Sequence, residues 1–136
     1  MLRIFILLGV IVSQFFLGGC SAFEENYEKL RDLDFTVVEA GNEPETLVEI
    51  IDEKKEEPFQ LSYTIGEDMY LVIGYGKQET CGYSIQVKEC YETEGTVYVD
   101  TTLLGPETEE EIVKKPSYPY IIIKIEVIAD KLIEFH

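Results

Sequence analysis

Apolar residues recur along this chain in two rhythms. From Ile4 to Leu17 the chain is apolar almost without a break, interrupted only by Gly9, Ser13 and Gln14. Later, a period of two takes over: Leu61, Tyr63 and Ile65 alternate with Ser62 and Thr64, and Tyr83, Ile85 and Val87 alternate with Ser84, Gln86 and Lys88. Successive side chains of a strand point to opposite faces, so both stretches predict half-buried strands. Met69 to Tyr75 is instead a continuous apolar run. Beyond the turn signal at Gly66-Glu67-Asp68, it predicts the second and central strand of a hairpin.

The remaining elements follow from the same pattern and its punctuation. Phe35 to Glu39 predicts a first strand, closed by Gly41-Asn42. Pro44-Glu45-Thr46 then opens a helix carrying Leu47, Val48, Ile50 and Ile51, and Pro58 stops it. Asn42 or Glu43 falls near its N-cap and Pro44 in its first turn, with acidic residues at the positive end and Lys54-Lys55 at the negative end. Three further strands are expected at Tyr83 to Tyr91, Thr96 to Leu103 and Tyr120 to Ile128, with a turn at Glu94-Gly95. Every connection before Leu103 suits antiparallel pairing. Glu107 to Lys115, between Gly105-Pro106 and Pro116, is too polar for a core and reads as a protruding loop. The expected architecture is mainly β with one short α-helix, a small antiparallel β-sandwich or open barrel over residues 35–136 as a single domain. Pattern does not choose between sandwich and barrel.

The apolar run near the start has a different meaning. Met1-Leu2-Arg3 is a short basic beginning, and the run ends at Gly18-Gly19-Cys20, short of the ~20 residues that span a hydrocarbon core. Residues 1–19 therefore read as an export signal. Leu17-Gly18-Gly19-Cys20 resembles the lipobox of bacterial lipoproteins, which implies lipid on Cys20 and attachment to the membrane on its extracytoplasmic face. Small residues before the cut allow an extended backbone to enter a protease. One acyl chain binds only marginally, so the two or three chains of a lipoprotein make attachment durable. Residues 20–34 then form a lipidated tether, with Phe23, Tyr27, Leu30 and Leu33 at helical spacing for a marginal helix.

Charge narrows the partners. All 27 acidic residues and all but one of the 11 basic ones lie beyond Gly19, so the exported part is more acidic than the net −16 of the whole chain. Nucleic acid and anionic head groups are both repelled by such a body, so the expected partners are the membrane through Cys20 lipid and another exported protein, not nucleic acid.

Candidate chemistry is sparse. Catalytic triads need a base beside the nucleophile, and His136, the single histidine, is the final residue, where chain ends fray. One histidine and two separated thiols give no transition-metal ligand set, and Glu107-Thr108-Glu109-Glu110-Glu111 lacks the Asp/Asn-Gly spacing of a calcium loop. Gly74-Tyr75-Gly76 leads into a strand rather than a helix and reads as a turn, not a phosphate loop. No cofactor, no metal and no enzymatic activity are expected. Cys81 and Cys90 are separated by up to ~30 Å of extended chain at ~3.3 Å per residue, too far for a bridge, so both thiols are expected unpaired within the monomer, Cys90 buried and Cys81 in a loop.

The segment Val72-Ile73-Gly74-Tyr75-Gly76-Lys77-Gln78-Glu79-Thr80-Cys81-Gly82-Tyr83-Ser84-Ile85-Gln86-Val87, followed by Tyr118-Pro119-Tyr120 ahead of an apolar strand, resembles the C-terminal domain of the protease complex subunit PrcB family. The resemblance covers roughly Tyr70 to Glu126. Cys81 replaces the first glycine of the family's Thr-Gly-Gly-Tyr-like element, which tells against positive φ at 81, while Gly82 keeps the permissive position. The resemblance implies an extracytoplasmic accessory domain that assembles or stabilises a surface protease without cutting peptides itself. Its partner-binding residues are then expected in two loops, at Thr80, Gly82 and Tyr83 and at Tyr118, Pro119 and Tyr120; Tyr75, Tyr83, Tyr118 and Tyr120 form an aromatic contact surface if the loops converge, and core packing with hydroxyls reaching the rim is the favoured alternative. The same loops bear a looser similarity to chagasin-type cysteine protease inhibitors, which implies inhibition as the alternative; a structural envelope lipoprotein without a ligand is a third reading.

Overall fold

The computed structural model describes residues 28–109 and 112–136. Among the described residues eight strands and one helix follow one another as β1 (Arg31–Asp32), β2 (Thr36–Val37), α1 (Glu45–Lys54), β3 (Pro58–Ile65), β4 (Asp68–Tyr75), β5 (Ser84–Glu92), β6 (Thr96–Leu104), β7 (Tyr120–Glu126) and β8 (Leu132–Phe135). They form two four-stranded sheets, β1-β5-β6-β8 and β2-β7-β4-β3. The sheets stack as a sandwich and close no barrel, which resolves the choice that pattern left open.

Two cores explain the order of layers. Met69, Leu71, Ile73, Ile121, Ile123 and Ile125 from the β2-β7-β4-β3 sheet meet Cys90, Val97 and Val99 from the other sheet, together with Leu33. The intervening residues Val72 and Ile122 point the other way and pack on Leu47 and Ile51 of α1. β4 from Met69 to Ile73 and β7 from Ile121 to Ile123 are apolar without a break because both their faces are covered there, as a central strand requires. Burying Leu47 and Ile51 contributes ~1.5–3 kcal/mol each, the main reason a helix of only three turns holds.

The hairpin β3-β4 pairs from Pro58↔Tyr75 to Ile65↔Asp68 without a break. Pro58, which ends the helical stretch, is thus also the first residue of β3, where a missing N–H is tolerated. The helix N-cap is Pro44 itself rather than Asn42 or Glu43, and its carbonyl accepts the N–H groups of Leu47 and Val48 at 3.0 and 3.1 Å.

Sheet β1-β5-β6-β8 departs from simple alternation. A bulge between Val87 and Glu89 shifts the phase of β5, so that Val87 and then Cys90 face the core although they are three residues apart. Cys90 is buried as expected, and its thiol pKa is pushed up to about 11 by burial, with Asp32 adding to it.

Three expectations need correction. The helical spacing expected through Leu30 and Leu33 does not form a helix in its described part. Leu30 and Leu33 N–H groups bond to Glu92 and Cys90 carbonyls, Arg31–Asp32 pairs with β5, and Leu33 enters the core. The final residues do not fray. β8 pairs in parallel with β6, and His136 donates to Val99 O at 2.7 Å, accepts from Thr101 N–H and stacks on Tyr98 at 4.3 Å. The first strand shrinks from Phe35–Glu39 to Thr36–Val37.

Candidate functional site

The two loops singled out in the sequence adjoin the same end of the β4-β7 strand pair, where Gly74 lies opposite Tyr120, and meet. Tyr75 ends β4, and its N–H donates to Pro119 O at 3.0 Å, just before β7 begins. Gly76 then turns the chain with φ +78°. A Cβ there would lie 2.8 Å from Pro58 Cδ and 2.9 Å from Pro58 N, so glycine is required by close backbone approach as well as by φ. Lys77 N–H donates to Glu56 O at 3.0 Å, which ties the turn to the residues after α1.

Beyond that turn the loops zip together. Gln78 and Ser117 exchange backbone hydrogen bonds of 2.8 and 3.0 Å as an isolated antiparallel bridge. The Ser117 hydroxyl donates to Thr80 O at 2.7 Å, Cys81 N–H donates to Val113 O at 3.0 Å, and the Cys81 thiol points at Lys115 O at 3.4 Å. Cys81 is not among the positive-φ residues and Gly82 is, at +95°, so the cysteine at 81 carries no backbone strain. The Tyr118–Pro119 bond is trans.

Of the residues expected to contact a partner, Thr80 and Pro119 use their carbonyls to hold the loops to each other and to β4. The tyrosines divide by face. Tyr75 turns inward, its hydroxyl 2.6 Å from Thr101 Oγ1, and belongs to the core margin rather than to an aromatic surface. Tyr118 is half-buried beneath Lys55, whose ammonium lies 5.1 Å from the ring centroid. Tyr120 is exposed, and its hydroxyl donates to Glu43 at 2.7 Å. Partial burial, reinforced by that carboxylate, pushes its pKa up to about 12, so it remains a neutral donor. Tyr83 is half-buried beside Gly105, where the second loop begins.

The loop pair is therefore a braced ridge rather than two free loops. Gln78, Val113, Lys115 and Ser117 do the bracing and Lys55 and Glu43 hold the rings, yet the sequence marked none of them as a partner-binding residue, because pairing between residues 39 apart leaves no local pattern. The ridge offers tyrosine rings, backbone groups and no nucleophile with an adjacent base among the described residues, an arrangement suited to contact with another surface.

The comparisons with known proteins agree in part. A family model described as PrcB C-terminal matches residues 69–126, from the start of β4 through β7. The match takes in both loops and the four strands, β4 to β7, that carry them. No curated protein and no solved structure matches the chain.

Proposed function

We propose, from the premise that residues 69–126 belong to the PrcB C-terminal family, a family of protease-complex subunits, that this chain is the lipid-anchored accessory member of such a complex. In this reading the chain is exported, carries lipid on Cys20 at the extracytoplasmic face of the cell membrane, and recognises another exported protein, a surface protease, without performing catalysis itself. The observation that carries it is the braced ridge inside the matched segment. Gln78–Ser117, Thr80–Ser117 and Cys81–Val113 hold Tyr83 and Tyr118 in fixed positions before any partner arrives. Pre-organisation of this kind lowers the ordering cost of association.

Lipidation is tested by metabolic labelling with a fatty-acid analogue, which the Cys20→Ala variant should not incorporate. Recognition is tested by cross-linked recovery from native membranes, comparing the unaltered chain with a Tyr83→Ala, Tyr118→Ala double variant. One exported protein that co-purifies and is lost at least tenfold with the variant is the expected result. Recovery unchanged by the variant would remove the ridge from the proposal.

The side-by-side packing of the loops also favours the inhibitor reading enough to test it. A chagasin-like role predicts dose-dependent inhibition of papain-like proteases by the purified chain, abolished by the same double variant.

A further inference from the structure

We infer that the open edge of β3 is a docking site for an extended, strand-forming segment of a basic partner protein, which would add a fifth strand to the β2-β7-β4-β3 sheet. This edge meets the braced ridge only at its Pro58 end, beside Gly76, and its outward groups at Gln60, Ser62 and Thr64 take no part in the ridge, so the inference stands or falls separately from the proposed function.

The geometry comes from the strand register. Tyr75 N–H points to Pro119, and backbone groups alternate in direction along a strand, so Gly74, Val72, Tyr70 and Asp68 point to β3. Their register partners are Phe59, Leu61, Tyr63 and Ile65. That leaves the N–H and C=O groups of Gln60, Ser62 and Thr64 directed outward, and all three residues are exposed. Among the described residues no strand pairs with this side of β3.

Natural sheets blunt such edges with charges, bulges or short strands. β3 has none of these. It runs for 8 residues, Pro-Phe-Gln-Leu-Ser-Tyr-Thr-Ile, carries no charge and pairs in unbroken register. Its proline is the first residue, so the three outward N–H groups lie beyond it. By contrast, the edge strands β1, β2 and β8 are 2, 2 and 4 residues long.

The neighbouring surface selects the occupant. Phe59, Leu61 and Tyr63 pack on the helix side of the sheet, so Gln60, Ser62 and Thr64 face the other way. On that face a cleft of about 480 Å³ opens between the sheets, lined by Gln60, Ile73, Tyr75, Thr101 and His136. Residues of an added strand opposite Gln60, Ser62 and Thr64 would project along this cleft, and apolar β-branched side chains fit its Ile73 and Tyr75 walls.

A second copy of the chain fits poorly. Its own β3 would present Gln60, Ser62 and Thr64 to the cleft, and two bodies of net charge −16 repel. Local charge points the same way at the Ile65 end, where Glu67, Asp68 and its register partner Glu126 gather. At the Pro58 end Glu53, Glu56 and Glu57 outnumber Lys54 around the surface cleft they share. A basic residue flanking the docked segment next to Ile65 completes the match.

The test uses the full chain and a labelled peptide of alternating valine and threonine with lysines at both ends, read by fluorescence anisotropy. Binding is expected, with affinity falling at least tenfold when alternate peptide nitrogens are methylated, since methylation removes the ladder bonds but keeps charge and composition. The Ser62→Pro variant should lose affinity similarly while keeping its unfolding midpoint, because the lost N–H serves no bond within the fold. Equal binding of the methylated peptide, or no binding at all, would overturn the proposal. A β3-paired dimer that excludes the peptide and disappears in Ser62→Pro would overturn the choice of occupant.

Discussion

The two sheets of this sandwich face different demands, and their sequences differ accordingly. β4 and β7 lie between the other sheet and α1, so Leu71, Ile73, Ile121 and Ile123 serve one core while Val72 and Ile122 serve another. Among the described residues β5 and β6 are covered on one face only. Val97 and Val99 point inward, and Tyr98, on the opposite face of β6, stacks between Tyr91 at 5.0 Å and His136 at 4.3 Å. A two-sided strand must be apolar over its covered stretch, whereas a one-sided strand can keep polar and aromatic groups in water.

The largest expected effect breaks that contrast at its strongest point. Ile123 is fully buried in the core between the sheets, and Ile123→Ala should lower stability by ~2–5 kcal/mol through lost transfer energy and the cavity left behind, measured by urea unfolding. The next sits where β4 leaves the core for the ridge. Gly76→Ala forces a side chain into positive φ and against Pro58 backbone, costing ~1–3 kcal/mol, while Gly95→Ala, with open space around it, should stay within ~0.5 kcal/mol. If the two glycine variants melt together, the close approach of Gly76 to Pro58 does not constrain the fold in solution.

Much of the doubly covered sheet could be read from local pattern. The continuous run Met69 to Tyr75 could only be a central strand, and the alternation at Leu61, Tyr63 and Ile65 announced its hairpin partner. The one-sided sheet was less legible. Its bulge after Val87 reverses the facing pattern without changing composition, and β8, only four residues and parallel to β6, depends on a non-local pairing that no neighbouring turn announces. The loop residues Thr80 to Tyr83 and Tyr118 to Tyr120 were found as a motif, but their division between bracing and display was not, since Ser117 and Val113 lie more than 30 residues away along the chain.

A smaller effect tests whether the outer face of the one-sided sheet is open. Tyr98→Ala should cost ~0.5–1.5 kcal/mol from the lost ring stack beyond its area burial. A loss as large as that of Ile123→Ala would mean that this face is covered in solution and that the two sheets are more alike than their sequences indicate.

The smallest effect is lost in acid and concerns the clasp around Glu92 on the one-sided sheet. Glu92, at the end of β5, accepts hydrogen bonds from Arg31 on β1 and from Lys131, which lies on the crossover from β7 to β8 and also donates to Thr93 O at 2.6 Å. These two bonds, Arg31 first and then Lys131, hold the carboxyl below its ordinary value of 4.5. A depressed folded-state pKa means that the stabilisation is fully present above 4.5, and is lost as pH falls from there through the lower folded value. Glu92→Gln removes the titrating group but keeps its size. The variant should therefore be less stable than the unaltered chain at neutral pH, and the difference should shrink as pH drops below 4.5, measured as paired urea midpoints across that range. A difference that stays constant with pH would mean that Glu92 acts through packing alone, and that charge plays no part in fastening the crossover to the one-sided sheet.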